Sequence, residues 1–279
     1  LPRIRSIALL WTVAMMAAVH GAHAGILAQV VPVRYSVTAQ PGEPAARDIL
    51  LSNQGSQPVI VRVRLSDWTL SDDGVMKLLP PGTTANTLDG KVEFDPAEFT
   101  LGPGASGNVH VTLRMPADGP ATLWGVLLSE VRPAVVEPAR FGPRAIAELG
   151  TTFYLSRVPA DRIRPEVTGL DVQPLSGDSV AVTLRVRNAG ERHLYISGDI
   201  ALTDSSHTTL RKGPIGSGVV LPGGIRNFTW MSQAGLSPGR YLVTATLDTG
   251  EPELTVGEAT FVWPMPGTVP LPLADNPPR

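Results

Sequence analysis

An all-β chain of two sandwich domains in tandem is predicted by three observations. The 28 Gly and 27 Pro spread through 279 residues would interrupt helices too often, while they suit short strands joined by turns. Several segments alternate with a period of two. In 59–68, Val59, Val61, Val63 and Leu65 share one face, and Ile60, Arg62, Arg64 and Ser66 share the other. Finally, the length and a hydrophobic content of 43% are enough for two cores of ordinary size.

The chain opens on a targeting pattern. Arg3 and Arg5 precede an apolar run over 7–19, and Ala22-His23-Ala24 fits cleavage before Gly25, so residues 1–24 are expected to be a signal peptide. The run is short for a membrane span of ~20 residues. Cleavage removes two bases and no acid, which leaves a mildly acidic chain without a basic run and disfavours nucleic acid as a partner. With no cysteine, disulfides, zinc–thiolate sites and cysteine nucleophiles are excluded, and a bacterial envelope compartment fits best.

Strands are expected at 29–37, with Pro32 marking an edge or bulge, at 48–53, and at 59–68. Residues 71–89 read as turn-rich around Asp72-Asp73-Gly74 and Pro80-Pro81-Gly82. Further strands follow at 91–94, 99–101, 108–114 and 122–130. The organising stretch is 131–159: a Pro/Gly-broken loop, then a strand over 145–155 whose odd positions Ala145, Ala147, Leu149, Thr151, Phe153 and Leu155 are small or apolar and share one face. That strand closes the first domain beside a hinge, where its edge is open to an incoming strand.

A second series of strands occupies 167–172, 179–188, 193–203, 219–221, 226–230, 240–248 and 255–262. Each domain has a strand running into an Asn-x-Gly turn, Asn53-Gln54-Gly55 and Asn188-Ala189-Gly190. The reading is two tandem immunoglobulin-like β-sandwiches, 25–162 and 163–263, followed by a Pro-rich tail over 264–279 without hydrophobic period.

Catalytic and metal chemistry find little support. His110, His193 and His207 have no ligand-like neighbour at short spacing, and the acids Asp67, Asp72, Asp73 and Asp95 do not follow a calcium-loop pattern. Nucleophile-elbow, phosphate-loop and dinucleotide motifs are missing, and the Gly-rich 213–218 carries a Pro and sits between strands. No enzyme activity, cofactor, metal or small-molecule substrate is expected. Trp68, Trp124, Trp230 and Trp263 read as packing residues.

In the first domain, Pro32-Val33-Arg34, Ile49-Leu50-Leu51-Ser52-Asn53-Gln54-Gly55, Asp67-Trp68, Pro96-Ala97-Glu98-Phe99-Thr100-Leu101-Gly102-Pro103-Gly104, the run from Leu123-Trp124 to Glu130, and Phe153-Tyr154-Leu155 leading to Pro159 occur in an order that resembles the periplasmic pilus-assembly chaperones of the chaperone–usher pathway. The resemblance covers about half the chain. It implies two immunoglobulin-like domains set at an angle and a last first-domain strand that lends side chains to an incomplete subunit, without ATP or covalent chemistry.

It also implies a basic pair that anchors the subunit's terminal carboxylate. Arg34 matches its first member; the family's lysine is missing, since Lys77, Lys91 and Lys212 all lie elsewhere, and Arg144 is the candidate replacement. Arg157 resembles a family arginine that ties the domains together, although Ala121 or Thr122 stands where its acidic partner is expected. The expected function is thus a periplasmic chaperone that stabilises secreted or pilus-type subunits by β-strand complementation at Arg34, Arg144, Ala145, Ala147, Leu149, Thr151, Phe153 and Leu155, with an outer-membrane usher as a second partner to look for. The alternative is a structural or adhesion protein of the envelope that uses the same modules as spacers.

Overall fold

The structure is a computed structural model that describes residues 26–134, 146–159, 163–175, 179–233 and 235–265. The leader over 1–24, the loop carrying Arg144 and Ala145, and nearly all of the Pro-rich tail lie outside the described residues. Residues 26–159 contribute β1 (Ala28–Val31), β2 (Arg34–Ala39), β3 (Pro44–Asn53), β4 (Val59–Leu70), β5 (Met76–Leu79), β6 (Val92–Asp95), β7 (Glu98–Leu101), β8 (Ser106–Arg114), β9 (Thr122–Pro133) and β10 (Ala147–Arg157). They form two sheets, β1-β3-β8-β6 and β2-β10-β9-β4-β5, with β7 also on β4. Residues 163–265 contribute β11 (Pro165–Pro174), β12 (Ser179–Asn188), β13 (Leu194–Asp204), β14 (Thr209–Pro214), β15 (Gly218–Val220), β16 (Ile225–Gln233), β17 (Gly239–Asp248) and β18 (Thr255–Trp263). These make the sheets β11-β12-β16 and β14-β13-β17-β18, with β15 on β13. The fold is all-β, two tandem immunoglobulin-like sandwiches, as the sequence predicts.

Each core follows from alternation. In the first half, Ile49 and Leu51 of β3 and Val109, Val111 and Leu113 of β8 face Val61 and Val63 of β4, Leu127 and Val131 of β9, and Phe153 and Leu155 of β10. In the second, Val180, Val182, Leu184 and Val186 of β12 face Ile200 and Leu202 of β13 and Val243, Ala245 and Leu247 of β17. Burying one face of each of these strands removes enough apolar surface from water to offset chain ordering without disulfides.

Three elements differ from the sequence reading. The strand expected over 29–37 is two strands in different sheets: β1 pairs with β3 while β2 runs parallel to β10. Pro32, which has no N–H to give a ladder, stands where the chain changes sheet. β5 lies in the stretch read as turns. Its residues are exposed on both faces, so no alternation marks it, and pairing with Asp67–Leu70 of β4 makes it a strand. β14 escaped the reading for a similar reason: Gly213 and Pro214 interrupt its pattern, and its partner β13 supplies the order.

The two Asn-x-Gly turns are structural counterparts. Asn53, 1% exposed, donates through Nδ2 to the carbonyls of Gln57 at 2.8 Å, Leu101 at 3.2 Å and Gly102 at 3.0 Å, while its Oδ1 accepts from Gly55 N. Asn188, fully buried, donates to Arg192 O at 2.6 Å and Val220 O at 3.0 Å and accepts from Gly190 N. In each half one amide ties a turn to the end of a neighbouring strand. Alanine removes those hydrogen bonds, so N53A and N188A should each lower the unfolding free energy by about 2–4 kcal/mol in urea titrations. The exposed control N108A should change it by less than about 0.5 kcal/mol.

Candidate functional site

β10 has two different faces and, over part of its length, only one neighbour. It pairs antiparallel with β9 along Ala147 to Ser156, and parallel with β2 only from Thr152 to Arg157. Among the described residues, no strand pairs with 147–151 on the β2 side. Thr152 donates its backbone N–H to Val33 O on that side. Because amides alternate direction along a strand, those of Glu148 and Gly150 point the same way, into the open edge.

The odd face does not project outward along its whole length. Phe153, Leu155 and Thr151 are fully buried within the first sandwich, Phe153 stacked on Tyr35 at 5.2 Å and Thr151 Oγ1 donating to Pro32 O at 2.8 Å. Ala147 and Leu149 are half-buried at the rim of the same core. A hydrophobic face read from alternation alone is thus largely the domain's own core face, and only its first two described members reach the surface. Beside the open edge, Ile146, which precedes β10, is 62% exposed, and Val33, whose carbonyl receives the Thr152 N–H, is 66% exposed.

The even face of β10 meets the second half. Tyr154 joins Trp68, Trp124, Val126 and Leu128 in a buried cluster against which Val219 and Leu221 of the second half pack. Trp124 Nε1 donates to Trp68 O, and Trp68 meets Tyr154 edge-on. Burial pushes the Tyr154 phenol up to about 12. The His193 ring stacks on Tyr154 with centroids 4.0 Å apart, and its Nε2 is 2.9 Å from Ser36 Oγ. A second contact lies at the tip of the β4–β5 hairpin, where Asn227 N donates to Asp72 O at 2.7 Å and Asn227 Nδ2 to Asp73 Oδ1 at 3.2 Å.

Arg34 lies opposite Thr152 in the register, one residue beyond the open edge. Its guanidinium carbon sits 4.0 Å above the Tyr195 ring of the second half, a cation–π arrangement that fixes the plane of the group. Tyr195 OH shares a hydrogen bond of 3.1 Å with Ser217 Oγ, and that bond together with Arg34 holds the phenol below its ordinary value. Arg157 Nη2 donates to Gly119 O at 3.0 Å and Pro120 O at 3.4 Å, bracing the turn between β8 and β9. Sequence reasoning missed the contacts of Tyr195 and His193 because both occupy outward positions of an alternating strand region, and what such positions meet is decided by the other half.

Among the described residues, no group of three or more acids and histidines is placed to hold a metal ion, and no helix is long and apolar enough to cross a membrane. No family model and no curated protein matches the sequence. Solved structures similar to this chain include several chaperones and a PapD-like domain of human CEP192. The YadV chaperone is 13% identical, with 84% of this chain and 99% of that one covered and a TM-score of 0.44. The CupB2 chaperone of Pseudomonas aeruginosa is 13% identical over 82% and 98%, with a TM-score of 0.45. The SafB chaperone of Salmonella enterica, solved with SafA pilin, is 13% identical over 85% and 96%, with a TM-score of 0.43.

The hairpin contact makes a direct expectation. Gly74 has φ +83°, and a Cβ there would fall 1.9 Å from the Arg226 guanidinium carbon. G74A should therefore cost about 1–3 kcal/mol in urea unfolding. It should also speed hydrogen exchange at the Asn227 amide while leaving the Val111 amide, deep in the first core, tied to global unfolding.

Proposed function

We propose that this chain is an exported, non-enzymatic chaperone-like protein of the periplasm that holds a secreted or pilus-type β-subunit by strand pairing along 147–151. The observation that carries the reading is the stretch 147–151 of β10, which among the described residues has a partner strand on one side only. An incoming strand would pair with the outward N–H and C=O groups of Glu148 and Gly150, and its apolar side chains would meet the exposed Val33 and Ile146. Ala147 and Leu149 at the core rim are the part of the odd face that a subunit can touch; Thr151, Phe153 and Leu155 support it from inside. Arg34, one residue past the edge and oriented by Tyr195, is the group for a terminal carboxylate, which a guanidinium receives with two parallel hydrogen bonds. Arg144 is the proposed second charge, and the leader over 1–24 the export signal.

The experiment is recovery of subunits bound to the chain in its native periplasm. E148P removes an N–H from the open side of β10 and leaves the β9 ladder its odd-numbered donors. It should cut recovery about tenfold, the worth of a main-chain bond or two. R34A should reduce it by a similar or larger factor. If the wild-type chain recovers no small secreted β-subunit from cells that express such subunits, the reading fails and a structural or adhesion role in the envelope replaces it.

A further inference from the structure

The seam between the halves is closed at one point by an imidazole. His193 precedes β13, and its ring lies flat on Tyr154 of β10 with Nε2 against Ser36 Oγ of β2. Its other nitrogen, Nδ1, is buried without a hydrogen-bond partner. In the neutral ring protonated on Nε2, that N–H donates to Ser36 Oγ and Nδ1 carries no hydrogen. The imidazolium carries N–H on both, so Nδ1–H has no acceptor in the closed seam.

The charges that act on the ring make protonation harder still. Arg192, adjacent on the same loop, and Arg34, from β2, are both cationic. Tyr154 from β10 and Ser36 from β2 contact the ring, Tyr195 stands two residues further on under Arg34, and Glu191 lies two residues earlier on the same loop. The π face of Tyr154 is the one feature that favours a cation there. Burial and the two guanidinium groups outweigh it and lower the imidazole from its ordinary value to about 4.

We propose that His193 makes the seam acid-labile: its protonation parts the ring from Tyr154 and Ser36 and, by withdrawing the start of β13, frees Arg34 from Tyr195. The consequence for binding rests on the reading of Arg34 as an anchor; the opening itself does not. The direction follows from which form each state prefers. The closed seam holds the neutral ring, and an opened, solvated ring titrates near its ordinary value. Above that value acid has no effect on the seam; below it, each pH unit favours the open form further, until the ring titrates in the closed form too. Between pH 7.5 and pH 4.0 the closing equilibrium should weaken on the order of 100-fold.

The chain has no cysteine, so two introduced ones are unique labelling sites. Spin labels at N108C on β8 and T260C on β18, both exposed, report the distance between halves by pulsed electron resonance, measured at pH 7.5 and pH 4.0 with no partner added. The wild-type background should show one distance at pH 7.5 and a second, longer population at pH 4.0. H193Q, whose amide still bonds Ser36 but takes up no proton, should keep the single distance at both values. E191Q should respond like wild type. A wild-type distance unchanged at pH 4.0 overturns the proposal, as does an H193Q response equal to wild type, or unfolding of both variants together in circular dichroism at pH 4.0. Because no subunit is present, a negative result rejects the acid-labile seam and leaves strand pairing to its own test.

Discussion

Side-chain alternation along β10 is the constraint on which the other features depend. Phe153 and Leu155 close the first core, and the residue between them, Tyr154, is committed by the period of two to the opposite face. There it becomes the floor of the seam, under His193 and beside Trp68 and Trp124. A one-residue slip of β10 against β9 would expose the core residues and bury Glu148, whose carboxylate is paired with Arg64, so the register is strongly held. Core, seam and open edge are therefore consequences of one strand placed one way.

The seam combines two kinds of contact with different tolerances. Val219 and Leu221 against the tryptophan cluster provide non-directional burial, which survives small shifts. The stacked pairs Tyr154–His193 and Arg34–Tyr195 demand geometry, and they come from alternate positions around the start of β13 and from the β2–β10 junction. The polar pairs thus set the angle at which the apolar contact is made. The hairpin tip, with Gly74 under the Arg226 guanidinium, restrains the same angle from a second place. Arg34 has its orientation imposed by the half of the molecule that does not contain it.

Much of the fold was legible. β12 coincides with the run expected over 179–188, because its inward residues are all aliphatic and its end is marked by an Asn-x-Gly turn. β5 and β14 were not legible, since a strand exposed on both faces or broken by Gly and Pro has no period to read. For the site, Arg34 and the 145–155 strand were singled out, yet the role of the odd face was only partly readable. Phe153 and Leu155 fill the chain's own core, whereas Ala147 and Leu149 reach the rim, and nothing local distinguishes the pairs.

From residues alone, composition and alternation determined an all-β chain, its two sandwiches, and which side of most strands is apolar, because those properties depend on a period carried by the backbone itself. Tertiary structure decided the remainder: that Pro32 marks a change of sheet, that β2 covers β10 only from Thr152 onward, and that His193 and Tyr195 meet Tyr154 and Arg34 of the first half. Each of these joins positions more than a hundred residues apart or depends on which strand lies alongside which. A period of two tells a strand which faces it has; only the packed chain tells it what those faces and edges meet.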